Sequence, residues 1–123
     1  MTDSKLIDSS IWIEFLFNNQ YSEIIKSWDM LLLSSLSLFE IKRKLQQEKI
    51  EPQKIQTSIE YIKQRSLIIF VSSEIAENAA QLSFKHKLAA MDAIIYATAK
   101  MKGAHLITRD NDFRGLPNTT ILS

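Results

Sequence analysis

Residues 91–113 read M-D-A-I-I-Y-A-T-A-K-M-K-G-A-H-L-I-T-R-D-N-D-F. Ile94, Ile95, Ala97, Thr98 and Met101 recur at helical spacing, and Asp92 stands one residue inside the pattern. Lys100 and Lys102 suit the negative end of the helix dipole, and Gly103 is a natural stop. A short apolar strand follows, His105-Leu106-Ile107, and leaves through a polar turn carrying Thr108, Asp110 and Asp112. A helix start and a strand exit are both places where a fold presents side chains at a cleft. Here both present carboxylates. Each acid also has a plain structural use: Asp near a helix start favours the dipole, and Asp-Asn-Asp is ordinary turn chemistry. What separates the two uses is whether other acids reach the same place.

Working outward, the chain alternates apolar runs with helical patterns. Lys5-Leu6-Ile7 is a strand ending at Asp8, and Ser9, Ser10 and the Ile11–Phe17 run open a helix. Asp8 is a good N-cap, yet three capping-type residues in a row exceed what one helix start needs. Trp12, Phe15 and Phe17 read as core or dimer contacts. After an Asn18-Asn19-Gln20 turn, Tyr21 to Trp28 reads as a helix with Ile24, Ile25 and Trp28 on one face. Met30 to Leu33 is a continuous apolar run, suited to a strand covered on both faces. Ser37 and Glu40 have capping-box spacing before a helix from Glu40 to Lys49, and Glu40 stands four residues before Lys44. Pro52 opens a helix to about Arg65, Leu67 to Val71 is a third strand, and Ser72-Ser73 caps the next helix. Lys85-His86-Lys87 is a basic, solvated corner, and Thr119 to Leu122 is a last edge strand. Strands alternating with helices imply an α/β fold: three-layer α/β/α, with a mainly parallel central sheet of four to five strands.

The composition bounds the rest. The 123 residues suffice for one domain, expected to span 1–123. No apolar run is long enough to cross a membrane, and Asp3 and Asp8 interrupt any secretory pattern at the start, so a cytoplasmic protein is expected. Cysteine is absent, which excludes disulfides and thiolate chemistry. Net charge is only +1, but with four of the 14 acids gathered in one pit, the remaining surface would carry 15 bases against 10 acids. An acidic hole in a basic surface suits a phosphate backbone approaching a bound cation.

Asp8, Glu40, Asp92 and Asp110 each follow a strand or begin a helix, and in a parallel sheet those positions share one edge. Asp112 is close enough in sequence to be a fifth member. Such carboxylates repel unless a cation neutralises them. Oxygen-only donors suit Mg2+ or Mn2+, and the chemistry of such a site is metal-assisted phosphodiester hydrolysis. Ser9, Ser10 and Thr108 stand where they would hold the ligands in place.

The order L-I-D-S-S (6–10), S-L-F-E-I (37–41), M-D-A-I-I-Y-A-T-A (91–99) and L-I-T-R-D-N-D-F (106–113) resembles the PIN-domain ribonucleases. Within them it is most similar to the VapC-type toxins of toxin–antitoxin pairs. The similarity runs from Leu6 to Leu116. It implies a PIN-like fold, Mg2+- or Mn2+-dependent cleavage of RNA, a homodimer, and inhibition by a small antitoxin protein. Carried over by position, Asp8, Glu40, Asp92 and Asp110 match the catalytic acids. The metal ligands would come from Asp8, Asp92, Asp110 and Asp112. Ser9 stands where Thr is frequent and keeps the hydroxyl. The competing readings are a PIN-like module that binds RNA or protein without cutting, a receiver-type phosphotransfer domain, and a metal-free ribonuclease built on His86 and His105. The receiver needs a Lys where this chain has Thr108-Arg109-Asp110, and the two histidines fall on a basic corner and a strand.

Overall fold

The computed structural model describes residues 3–123. Its elements run β1 Ser4–Ile7, α1 Ser9–Asn18, α2 Ser22–Ile25, β2 Met30–Ser34, α3 Ser35–Gln47, α4 Pro52–Arg65, β3 Ser66–Ile69, α5 Ser73–His86, α6 Ala90–Met101, β4 His105–Thr108 and β5 Thr119–Ile121. A 3-10 turn, Asn111–Phe113, lies between β4 and β5. All strand pairs are parallel, in the order β3-β2-β1-β4-β5. This is the expected three-layer α/β/α architecture.

The strands are short because each crosses the sheet once between helices, and they are apolar because both faces are covered. Alternation decides which side chain enters which core. Leu6, Leu32 and Leu106 point to one side, where Ala79, Tyr96 and Ala97 of α5 and α6 meet them. Ile7, Leu31, Leu33 and Ile107 point to the other, packing on Ile11, Trp12 and Ile41 of α1 and α3 and on Ile62 of α4. Trp12 is therefore core, as expected, while Phe15 and Phe17 pack only part-buried against it.

Local chemistry sets most helix ends. Asp8 caps α1 and Ser72 caps α5, the latter accepting from the Ile75 amide at 3.1 Å. Pro52 sits in the first turn of α4, and α6 stops before Gly103, whose φ of +63° suits a residue without a Cβ. Three expectations are corrected. The Tyr21–Trp28 helix is one turn, Ser22–Ile25, and Trp28 is fully exposed rather than on a face with Ile24 and Ile25. Its cause lies forty residues away. The Arg65 guanidinium donates to the carbonyls of Ile25, Ser27 (2.8 Å) and Asp29 (3.1 Å), so the backbone has partners without continuing the helix. The helix expected from Glu40 begins at Ser35, and its cap is Ser34, which accepts from the Leu36 amide at 3.1 Å. Ser37 is buried inside the first turn and caps nothing, and Lys44 pairs with Glu48, not Glu40. The third strand ends at Ile69, leaving Phe70 largely exposed.

Chain direction places the crevice. The chain winds from β1 through β2 to β3, then crosses back over β1 to β4 and on to β5. The carboxyl ends of β1 and β4 therefore flank the point where the winding reverses, the general position of ligand crevices in open α/β sheets.

Candidate functional site

Asp8 leaves β1 at that crevice. It is buried, and both of its oxygens accept hydrogen bonds. Oδ1 accepts from the Ser9 amide at 2.9 Å. Oδ2 accepts from the Ser10 hydroxyl at 3.0 Å and the Thr108 hydroxyl at 2.7 Å. Thr108 ends β4 and, in turn, accepts from the Asp110 amide at 3.0 Å. Ser10 accepts from the Arg109 amide at 3.1 Å. One carboxylate thus caps α1 and, through Thr108 and Ser10, fixes the loop that carries Asp110 and Asp112. The capping use expected of Asp8 is therefore seen, and the same carboxylate also braces the acid-bearing loop.

Asp110 caps the 3-10 turn, its Oδ1 accepting from the Asp112 amide at 2.9 Å. The turn is pinned from below by Phe113, which is buried in the core. Asp92 arrives from the first turn of α6, whose start, Ala89, has no side-chain cap. The outcome is that Asp92, Asp110 and Asp112 bring carboxylate oxygens within 4.8 Å of one another. Asp8 is not a member of this trio, yet it is close enough for its charge to act on Asp92. Glu40, in the second turn of α3, is joined to the set through Ser9, whose hydroxyl donates to Oε1 at 3.3 Å. The sequence is silent on a flanking ion pair at the loop, Arg109 to Glu14 at 3.1 Å; Glu14 is an ordinary helix residue until the fold brings Arg109 to it.

Burial and like charge act together on these groups. Asp92 is pushed up from 3.8 to about 6, first by desolvation and then by the charges of Asp110, Asp112 and Asp8. Asp8 is raised by burial, against the opposing pull of its hydroxyl and amide donors. Glu40 is raised by burial and by the charge of Asp8. Among the described residues no Lys, Arg or His forms an ion pair with any of these five acids. The crevice collects negative charge, and Arg43 opposes it only at Glu40. Hard carboxylate oxygens at this spacing, without His or Cys, fit a divalent cation such as Mg2+ or Mn2+.

An α/β/α domain with a parallel five-stranded sheet and an acid-lined crevice at its switch point is the class this fold defines. The chain belongs to the PIN domain family, whose sequence profile matches residues 5–118. The resemblance carried by the four motifs therefore holds. Among solved structures it is similar to the toxin–antitoxin complex from Klebsiella pneumoniae, at 28% identity and a TM-score of 0.80, covering 94% of this chain and 95% of that one. It is similar in fold to VapBC2 from Rickettsia felis bound to a DNA fragment from their promoter, at 18% identity and a TM-score of 0.80, with 98% and 99% covered. It also matches the sarcin–ricin loop cleaving toxin VapC20 from Mycobacterium tuberculosis, at 15% identity and a TM-score of 0.66, with 82% and 85% covered. A search of curated protein sequences gives no match. No helix among the described residues is long and apolar enough to cross a membrane.

Proposed function

We propose that this chain is a divalent-cation-dependent endoribonuclease. In this reading it is the toxin of a toxin–antitoxin pair, a cytoplasmic homodimer held inactive by a small antitoxin protein. The observation that carries the reading is the convergence of Asp92, Asp110 and Asp112 within 4.8 Å, with no basic side chain to neutralise them. The Klebsiella complex supports the pairing with an antitoxin, and VapC20, a toxin that cleaves the sarcin–ricin loop, supports RNA as the substrate class.

Asp92, Asp110 and Asp112 would hold the cation, with Asp8 alongside. A divalent cation there supplies Lewis acidity, making water a better nucleophile at neutral pH and offsetting charge on the leaving oxygen. Glu40 takes the proton of the attacking water at Oε2 while Ser9 holds Oε1. Its raised pKa makes it a stronger base than an exposed glutamate. The water oxygen bonds to phosphorus, the bond from phosphorus to the 3′ oxygen breaks, and that oxygen departs as a hydroxyl after gaining a proton. Asp8 acts by position: with Thr108 and Ser10 it fixes the loop on which Asp110 and Asp112 stand.

The test is to incubate the chain with RNA and Mg2+ or Mn2+ and to map the product ends. Expected are 5′-phosphates and 3′-hydroxyls, lost on adding chelator. Cyclic 2′,3′-phosphates formed in the presence of chelator would overturn the reading in favour of a histidine mechanism. RNA bound but uncut under every metal condition would leave a binding module.

A further inference from the structure

Beside the acidic crevice, α3 and α4 enclose a feature that the hydrolytic chemistry does not use. Phe39 is 56% exposed on the second turn of α3. Arg43, one turn further on, lies with its guanidinium over the ring, 5.2 Å from the centroid. Ser35, Leu38, Phe39, Lys42, Arg43 and Lys63 line a cleft of about 410 Å³. Ser35 opens α3 directly after β2, on the same edge of the sheet as Asp8 and Thr108. Glu40 follows Phe39 in the chain, and Arg43 is near enough to Glu40 to oppose the rise of its pKa. The cleft and the crevice are therefore neighbours along one helix.

The cleft's chemistry is opposite to that of the pit. No carboxylate lines it, and among the described residues Lys42, Arg43 and Lys63 make no ion pair. Further along the groove, which shares Lys42, Ile59 and Lys63 with the near end, Phe39 and Arg43 are gone and Ile50, Ile55 and the acid Glu60 join the lining. Three cations without an ion pair suit an anion. A flat exposed ring with a guanidinium held over it suits a planar group. Each nucleotide of a single strand carries both in one unit, whereas a peptide segment must combine an acidic and an aromatic residue to do so.

We propose that the end of the α3–α4 cleft nearest Glu40 seats a nucleotide flanking the bond that is cut. Its base stacks on Phe39, and its phosphates lie on Arg43, Lys42 and Lys63. This rests on the ribonuclease reading for what is bound and adds which residues set the sequence context of cutting.

The experiment measures two things on the full chain. Binding to a mixed-sequence single-stranded RNA oligonucleotide is read by fluorescence anisotropy in chelator, where nothing is cut, and cleavage of the same RNA is read with Mg2+. Phe39→Ala is expected to weaken binding by about tenfold or more, and Phe39→Trp to retain it, because stacking tolerates any flat ring. Arg43→Ala is expected to lower the slope of log affinity against log salt by roughly 0.7, one single-strand phosphate contact. Both side chains are exposed, so melting temperature should not move. If Phe39→Ala binds as the wild type does while the wild type still cuts RNA, the proposal is overturned and the ribonuclease reading stands. If the wild type neither binds nor cuts, the ribonuclease reading has failed and takes the proposal with it. If Phe39→Ala leaves RNA binding intact but abolishes binding of a labelled acidic amphipathic peptide, the cleft is a protein seat and the proposal is overturned.

Discussion

Replacing Asp92 by Asn removes one charge from a place where several repel. Its carboxyl is raised from 3.8 to about 6 in the folded chain. Between those values the folded state binds more protons than the unfolded one, so stability falls as pH rises through that window. Above about pH 6 the cost is complete, and below 3.8 it is absent. A rise of this size corresponds to at most about 3 kcal/mol. Asp92 is partly exposed, and solvent screening leaves roughly half of that. The substitution also gives up an acid in an uncapped first turn, worth about 0.5 kcal/mol. The net gain is about 1 kcal/mol, or about 4 °C in melting temperature for a chain of this size. Thermal melts in chelator at pH 8 should therefore show the Asn variant melting higher than the wild type. The gap should close as pH falls towards 4. Millimolar Mg2+ should raise the wild-type melting temperature and leave the variant nearly unmoved, since the ligand set is broken. An Asn variant that melts lower than the wild type at pH 8, or a gap that ignores pH, would refute the charge-crowding argument.

Two further substitutions probe the support beneath the acids. Thr108→Val keeps the volume but strands the Asp110 amide and removes the shortest bond to Asp8, so urea denaturation should show a loss of about 1–3 kcal/mol. Phe113→Ala empties a fully buried site beneath the Asp110–Asp112 turn and should cost about 3–5 kcal/mol in the same assay, while Phe113→Leu recovers most of it. Under metal, the Ala variant should also lose most of the Mg2+-induced rise in melting temperature, because the turn is no longer anchored.

The sheet was legible because a parallel strand covered on both sides leaves an unbroken apolar run, as at Leu31-Leu32-Leu33. The positions of the acids were legible because strand ends and helix starts share an edge in such a sheet. Distant partners were not. The end of α2 is decided by Arg65, and nothing between Tyr21 and Trp28 announces it. The start of α3 is decided between Ser34 and Ser37, both good caps, by where β2 ends. The separation of Glu40 from the trio also escapes the sequence, since its approach depends on the Ser9 hydroxyl. The Phe39 and Arg43 pair has readable helical spacing, but exposure is what gives it a use, and exposure belongs to the fold.

The position of β1 has a consequence for the order in which the molecule can be completed during synthesis. This central strand hydrogen-bonds on one side to β4, a segment made about a hundred residues later. Until that late segment emerges from the ribosome, Asp8 has no Thr108 to accept from, and Asp110 and Asp112 are not yet in place. A chain stalled at residue 100 lacks β4, β5, Asp110 and Asp112, so its central strand has one open edge and the acidic cluster cannot form.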